Sequence, residues 1–134
     1  MRRKSTLAII AAALTTAGIA PSAAEAGLPR TTTALLGTYD HGRARIIGEQ
    51  GLAAGFWTSF SVFPGAAGDD LVITYVPRST PRRGEREVYT AAFDRTAEPR
   101  TECEEVGADG VARQVWVSSR CRTGFAPSYT LLVR

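Results

Sequence analysis

From about residue 34 onward, apolar residues recur in short runs rich in Val, Ile, Thr, Phe and Tyr, punctuated by Gly, Pro and Asp. That is the pattern of strands and turns, and no convincing amphipathic helix interrupts it. A first strand is expected over 34–39 and a second at Arg43–Gly48, after the turn-like Asp40-His41-Gly42. The strongest is Phe56–Phe63, where Phe56, Thr58, Phe60 and Val62 share one face. Leu71–Val76, Val88–Phe93, Val111–Val117 and Tyr129–Val133 complete the set. Pro64–Asp70 and the polar stretch Pro77–Arg86 read as hairpin connections, and Gly107-Ala108-Asp109-Gly110 as a tight turn favouring positive φ. The fold expected is all-β: a small antiparallel β-sandwich or barrel of six to seven strands. No internal repeat is read from the sequence.

Upstream the pattern changes. Arg2, Arg3 and Lys4 precede an apolar run from Leu7 to Ala20, then Pro21 and the small-residue stretch Ser22–Gly27. This is the order of a secretory signal peptide, with Ala24-Glu25-Ala26 as the cleavage site. Cleavage is placed after Ala26, with Ala24 the alternative. The apolar run falls short of the roughly 20 residues that span a bilayer. The expected organisation is therefore 1–26 as signal peptide and 27–134 as one β domain, secreted and free of the membrane after cleavage.

That leader alters the meaning of the charge. The whole chain carries 16 Lys+Arg against 13 Asp+Glu, a formal +3. Cleavage removes three bases and one acid, which leaves a balance of +1 and no Lys. Nucleic-acid binding thereby loses its electrostatic footprint and is not expected. The two cysteines, Cys103 and Cys121, are an even count in an exported chain and are expected to pair. Closing a loop of about 18 residues contributes on the order of 3 kcal/mol in the chain-entropy model. The pairing would tie the open end of the hairpin around Asp109-Gly110 into the sheet.

Candidate chemistry is sparse. One histidine, His41, stands in the turn Tyr39–Arg43, no Ser lies in a nucleophile-elbow context, and zinc would need three or four ligands. An enzyme is not expected, with a small hydrolase centred on His41 as the remote alternative. The loop Pro77–Arg86 concentrates Arg78, Arg82, Arg83 and Arg86. It reads either as a solvated loop or as a protein-binding one, the latter through Arg78, Arg82 and Arg83. In the second case an exposed Arg suits the pocket of a trypsin-like protease, although no disulfide braces the loop as inhibitor loops usually are.

The segment Gly65-Ala66-Ala67-Gly68-Asp69-Asp70-Leu71-Val72-Ile73 matches the calcium-binding repeat G-G-x-G-x-D-x-U-x at its first Gly, its second loop Gly, its Asp and its apolar residue, with Ala66 at the second position where the pattern has Gly. Asp69 and Asp70 would supply hard oxygen ligands, but one turn gives two carboxylates where Ca²⁺ takes about 6–8 oxygens. A plain Gly/Asp hairpin turn accounts for the same residues.

The stretch Phe60–Thr74, with Phe93-Asp94, Cys103 and the Val115–Val117 strand running to Cys121, resembles the two-Cys β module of small secreted actinobacterial proteins. That module often precedes haemolysin-type (RTX) calcium-binding repeats. The likeness spans about residues 56–121 and implies export, β structure, the disulfide and a test of Asp70 for calcium. It departs at Asp69, where the module commonly has Asn, and no tandem repeats follow Cys121. The function expected is a non-enzymatic extracellular binding or structural protein with at most a weak calcium site. A secreted protease inhibitor acting through Arg78–Arg86 is the alternative.

Overall fold

The computed structural model describes residues 29–124 and 126–134, so the leader expected over 1–26 lies outside the described residues. The chain order is β1 (Thr32–Tyr39), α1 (Arg43–Ala53), β2 (Ser59–Pro64), β3 (Asp69–Tyr75), β4 (Arg86–Ala92), α2 (Pro99–Ala112), β5 (Ser119–Thr123) and β6 (Ser128–Val133). The strands form two three-stranded antiparallel sheets, ordered β1-β3-β2 and β4-β6-β5. A mostly β fold with one disulfide is as expected. The all-β sandwich or barrel is corrected by two helices.

Both helices fall on segments read as strand or turn. Arg43–Gly48 opens α1, the supposed turn Gly107–Gly110 lies inside α2, and Val111–Val117 crosses the end of α2 into a loop. The reason is the same in each case. Each helix buries residues at one spacing, Arg43, Ala44, Ile47, Gly48 and Gly51 in α1 and Glu102, Cys103, Val106, Gly107 and Gly110 in α2. Glycine costs a helix about 0.5–1 kcal/mol relative to Ala, which is why these segments look non-helical. Here the bare backbone makes room for an indole. A Cβ on Gly51 would collide with the ring of Trp57, and one on Gly110 with that of Trp116. Each Trp Nε1–H donates to a carbonyl nine residues back, Trp57 to Gly48 at 2.8 Å and Trp116 to Gly107 at 2.9 Å.

These coincidences reveal an internal repeat, contrary to the sequence reading. The two halves share the order β-α-β-β, with the last strand of each half in the middle of its sheet. The first strand of each carries an irregularity, at Leu35/Gly37 and at Glu87/Tyr89. Both helices end in the same Schellman pattern, Gly55 N–H to Leu52 and Phe56 N–H to Gly51 in one, Gln114 N–H to Val111 and Val115 N–H to Gly110 in the other.

The halves share one core. Arg43 and Glu102, 59 residues apart and at equivalent helix positions, form a bidentate pair with Nε–Oε1 2.7 Å and Nη2–Oε2 3.0 Å. Both side chains are only 8% exposed. Each helix also reaches the other half's first strand, Gln50 Oε1 accepting from Thr90 N–H and Asp109 Oδ2 accepting from the Tyr39 hydroxyl. Phe56 meets Trp116 edge to face at 5.6 Å. Burial and the neighbouring Glu102 push the Tyr89 hydroxyl up, and burial with Asp109 does the same to Tyr39.

Candidate binding face at the arginine loop

The disulfide joins Cys103 to Cys121. It ties α2 to β5 rather than closing the open end of a hairpin, because Cys103 belongs to a helix.

Asp69 and Asp70 begin β3, whose successive side chains point to opposite faces. They are therefore not brought together. Asp69, on the buried face, accepts the Gly42 N–H at 2.9 Å through Oδ2 and meets His41 Nδ1 at 2.9 Å through Oδ1. The Gly42 hydrogen bond, then His41, holds its carboxyl below the usual range. Asp70 instead accepts from the Thr38 hydroxyl at 2.5 Å. Among the described residues no group of three or more His, Cys, Asp or Glu is arranged to hold a metal ion.

His41 thus gains the carboxylate partner that orients a catalytic base. Its side chain is 64% exposed, and among the described residues no hydroxyl is hydrogen-bonded to it. The pair serves first as a clasp joining the β1–α1 turn to β3.

The loop between β3 and β4 is organised. Arg78 N–H donates to the Gln114 carbonyl at 2.7 Å. Arg134 reaches back with Nε to the Arg82 carbonyl at 3.3 Å and Nη2 to the Arg83 carbonyl at 3.1 Å. Glu85 accepts a two-pronged bond from Arg120, at 2.6 and 2.7 Å, which holds the Glu85 carboxyl below its ordinary range. Fixed this way, the loop lays the guanidinium carbons of Arg82 and Arg86 each 5.0 Å from the centroid of the Phe56 ring. Such cation–π contacts contribute about 0.5–2 kcal/mol depending on solvation.

Arg86 also donates to the Ala54 carbonyl at 2.7 Å. Arg78 and Arg82 differ from it. Among the described residues neither has a carboxylate within ion-pair distance, and the Nε of each is buried without a hydrogen-bond partner. Leaving such a donor unsatisfied costs about 1–3 kcal/mol or more for a charged group. Desolvation, followed by the like charges of Arg78 and Arg86, lowers the affinity of Arg82 for its proton. The two side chains border a cleft of about 260 Å³ walled by Phe56, Trp57, Tyr75 and Val76.

The structure therefore gathers Arg78 and Arg82 and leaves Arg83 exposed at the loop tip. Sequence reasoning missed Phe56, Trp57 and Tyr75 as the floor of this face, and Arg86, Arg120 and Arg134 as its framework. The sequence carries no direct signal of this, because Phe56 and Trp57 are remote from the loop along the chain and the alternation through Phe63 makes them look like strand. No family model matches the chain, and no curated protein or solved structure is detectably similar to it. Among the described residues no helix is long and apolar enough to cross a membrane.

Proposed function

We propose that this is a small secreted, non-enzymatic binding protein that meets an anionic extracellular partner through the Arg78–Arg86 loop. The observation that carries the reading is the pair Arg78 and Arg82, unpaired by any described carboxylate, which line one cleft on a loop held in place by Arg134 and Arg120, with Arg82 over the Phe56 ring. Order at the face limits the entropy lost on binding. Export is supported by the leader-like residues 1–26 and by the disulfide. The geometry favours this face over the calcium reading of Asp69 and Asp70, since Asp69 is occupied within the fold and Asp70 points the other way. The resemblance to the two-Cys module remains a pointer to export and β structure.

The test is selection from a random displayed-peptide library. Binders enriched in acidic residues that lose at least about tenfold affinity for the Arg78→Ala/Arg82→Ala/Arg83→Ala variant support the reading. Binders indifferent to those substitutions would sink it.

A protease inhibitor is the second reading, favoured by one observation: Arg134 fixes the carbonyls of Arg82 and Arg83 and so supplies by hydrogen bonds the bracing that inhibitor loops take from disulfides. Limited trypsin digestion separates the two. An inhibitor blocks the enzyme while its loop is cut very slowly. A binding loop is nicked after Arg83 without slowing cleavage of a second substrate.

A further inference from the structure

Among the described residues one sheet edge is left open. An edge strand presents a row of unpaired N–H and C=O groups, and folded proteins block it with charged side chains or cover it. β1 and β4 lie at equivalent edges, and each is met by a side chain from the other half: Arg113 Nε donates to the Leu35 carbonyl at 2.7 Å, and Gln50 Oε1 accepts from the Thr90 N–H at 2.9 Å. β5 carries Arg120 and Arg122. β2 holds the place of β5 in the first sheet, with Ser61 and Phe63 where β5 has those arginines. It pairs only with β3, and no charged residue occurs from Phe56 to Gly68. Pro64 ends the strand, so Ser59–Phe63 is the open length. Exposure follows the same difference. Leu132 and Thr130, opposite Arg120 and Arg122, are buried, whereas Val72 and Asp70, opposite Ser61 and Phe63, are half-buried. Ser59 and Ser61 are exposed, and Phe63 is 55% exposed.

We infer that β2 pairs antiparallel with β2 of a second copy of this chain, about a two-fold axis at Ser61, and so joins two three-stranded sheets into one of six strands. In that register Ser61 faces the partner's Ser61, Phe60 faces the partner's Val62, and Ser59 faces the partner's Phe63. Charge selects this occupant. A two-fold axis sets equivalent side chains close to one another, so an edge with two arginines, like β5, repels itself, and an uncharged edge does not. A partner recognised by charge would need charged groups that β2 lacks. An antiparallel strand offers its own copy the donors and acceptors that the copy needs, and an aromatic residue opposite a β-branched one is a favourable cross-strand pair. With β1 already met by Arg113, the assembly closes at two copies rather than growing. Two short strands bury less than the roughly 1,200 Å² of stable complexes, so the dimer is weak. Its surface is separate from the arginine loop, and neither depends on the other.

Sedimentation equilibrium of the full oxidised chain, from about 1 μM to about 1 mM, tests this. The expected result is a monomer–dimer equilibrium that Ser61→Arg weakens by at least about tenfold. That substitution copies the residue β5 carries at the same place, so the fold should keep it. Leu52→Arg, at an exposed apolar residue of α1, should leave the equilibrium unchanged. A monomer throughout the range overturns the proposal, as does a dimer indifferent to Ser61→Arg or one that Leu52→Arg dissolves equally. Should Ser61→Arg melt early, Ser61→Cys decides. Paired about the axis, the introduced thiols of two copies lie within disulfide reach, and air oxidation should give a covalent dimer with an unchanged melting temperature. Failure to cross-link overturns the register and the pairing with it. A chain that stays monomeric while selected displayed peptides lose binding to Ser61→Arg would give the edge to an extended segment of another protein and overturn the second copy.

Discussion

The two halves of the chain are built on one plan, and they differ where the plan meets a local need. Offset by the 59 residues that separate Arg43 from Glu102, Gly48, Gly51 and Trp57 answer to Gly107, Gly110 and Trp116. The positions that do not agree teach more. Ala44 and Val62 of the first half stand where the second has Cys103 and Cys121. The clasp His41–Asp69 stands at the strand ends where the second half has Phe93 packed at a tilt against Tyr129, centroids 5.3 Å apart. One pair of equivalent positions touches itself across the junction, as Arg43 and Glu102. In a symmetric arrangement a single residue type would face itself there, and like charges could not both be buried. Opposite charges at that point require the halves to have become distinct.

The largest effect is expected at that junction. Arg43→Ala leaves Glu102 buried without its cation and should cost about 3–5 kcal/mol in urea unfolding, whereas Arg43→Met with Glu102→Leu should come out near neutral or better. A single substitution costing no more than about 1 kcal/mol would mean that water reaches the pair and that the halves are less tightly joined.

Next in size is the staple. Cys103→Ala with Cys121→Val gives the second half the residues of the first at both positions. The loss of the cross-link should cost on the order of 3 kcal/mol, reduced by whatever packing the Val recovers. An unchanged melting temperature would show that the α2–β5 contact is as self-sufficient as its counterpart between α1 and β2.

The strands were legible in the sequence because alternation survives one-sided burial: β3 alternates buried and half-buried along its whole length. The helices were not, for a definite reason. Their inward faces are lined by glycine, which hides the 3.6-residue period and imitates a turn, and Val111, Val115 and Val117 then complete a false alternation. The signal that would have found them is the doubled Gly-x-x-G spacing before Trp57 and Trp116, since an indole needs a bare stretch of backbone to lie against. The loop's arginines were legible as charge. Their aromatic floor was not, because Phe56 and Trp57 come from the first half's helix cap and meet the loop only in three dimensions.

A smaller difference should separate the halves in acid. Asp69 is held below the ordinary carboxyl value of 3.8 in the folded chain. Its contribution is therefore fully present above that value and is lost as pH falls through the lower, folded one. Asp69→Asn should flatten this acid limb in melts run from about pH 7 down to about pH 2.5. Glu85→Gln removes the similar contribution of the Glu85–Arg120 pair and serves as control. Phe93→Leu, at the corresponding place in the second half, should lower stability equally at every pH. A pH-independent loss for Asp69→Asn would mean that neither the Gly42 N–H nor His41 favours the ionised carboxylate.

The smallest effect concerns the helix ends. Both Schellman turns place the residue after the cap in the left-handed region, but at Gly55 (φ 80°) the residue is glycine and at Gln114 (φ 61°) it is not. A side chain there costs about 1–2 kcal/mol against glycine, offset in part by glycine's greater freedom in the unfolded chain. Gln114→Gly should therefore gain about 0.5–1 kcal/mol, and Gly55→Gln should lose a similar amount. The backbone bonds at Gln114, including the one its carbonyl accepts from Arg78, survive the change. Because the two caps are remote in sequence but share the Phe56–Trp116 contact, their combination is informative. If the double variant returns to the parent's stability within about 0.5 kcal/mol, the caps act independently within one cooperative unit. A broadened or biphasic transition in the double variant would mean that two halves sharing one plan had begun to unfold separately.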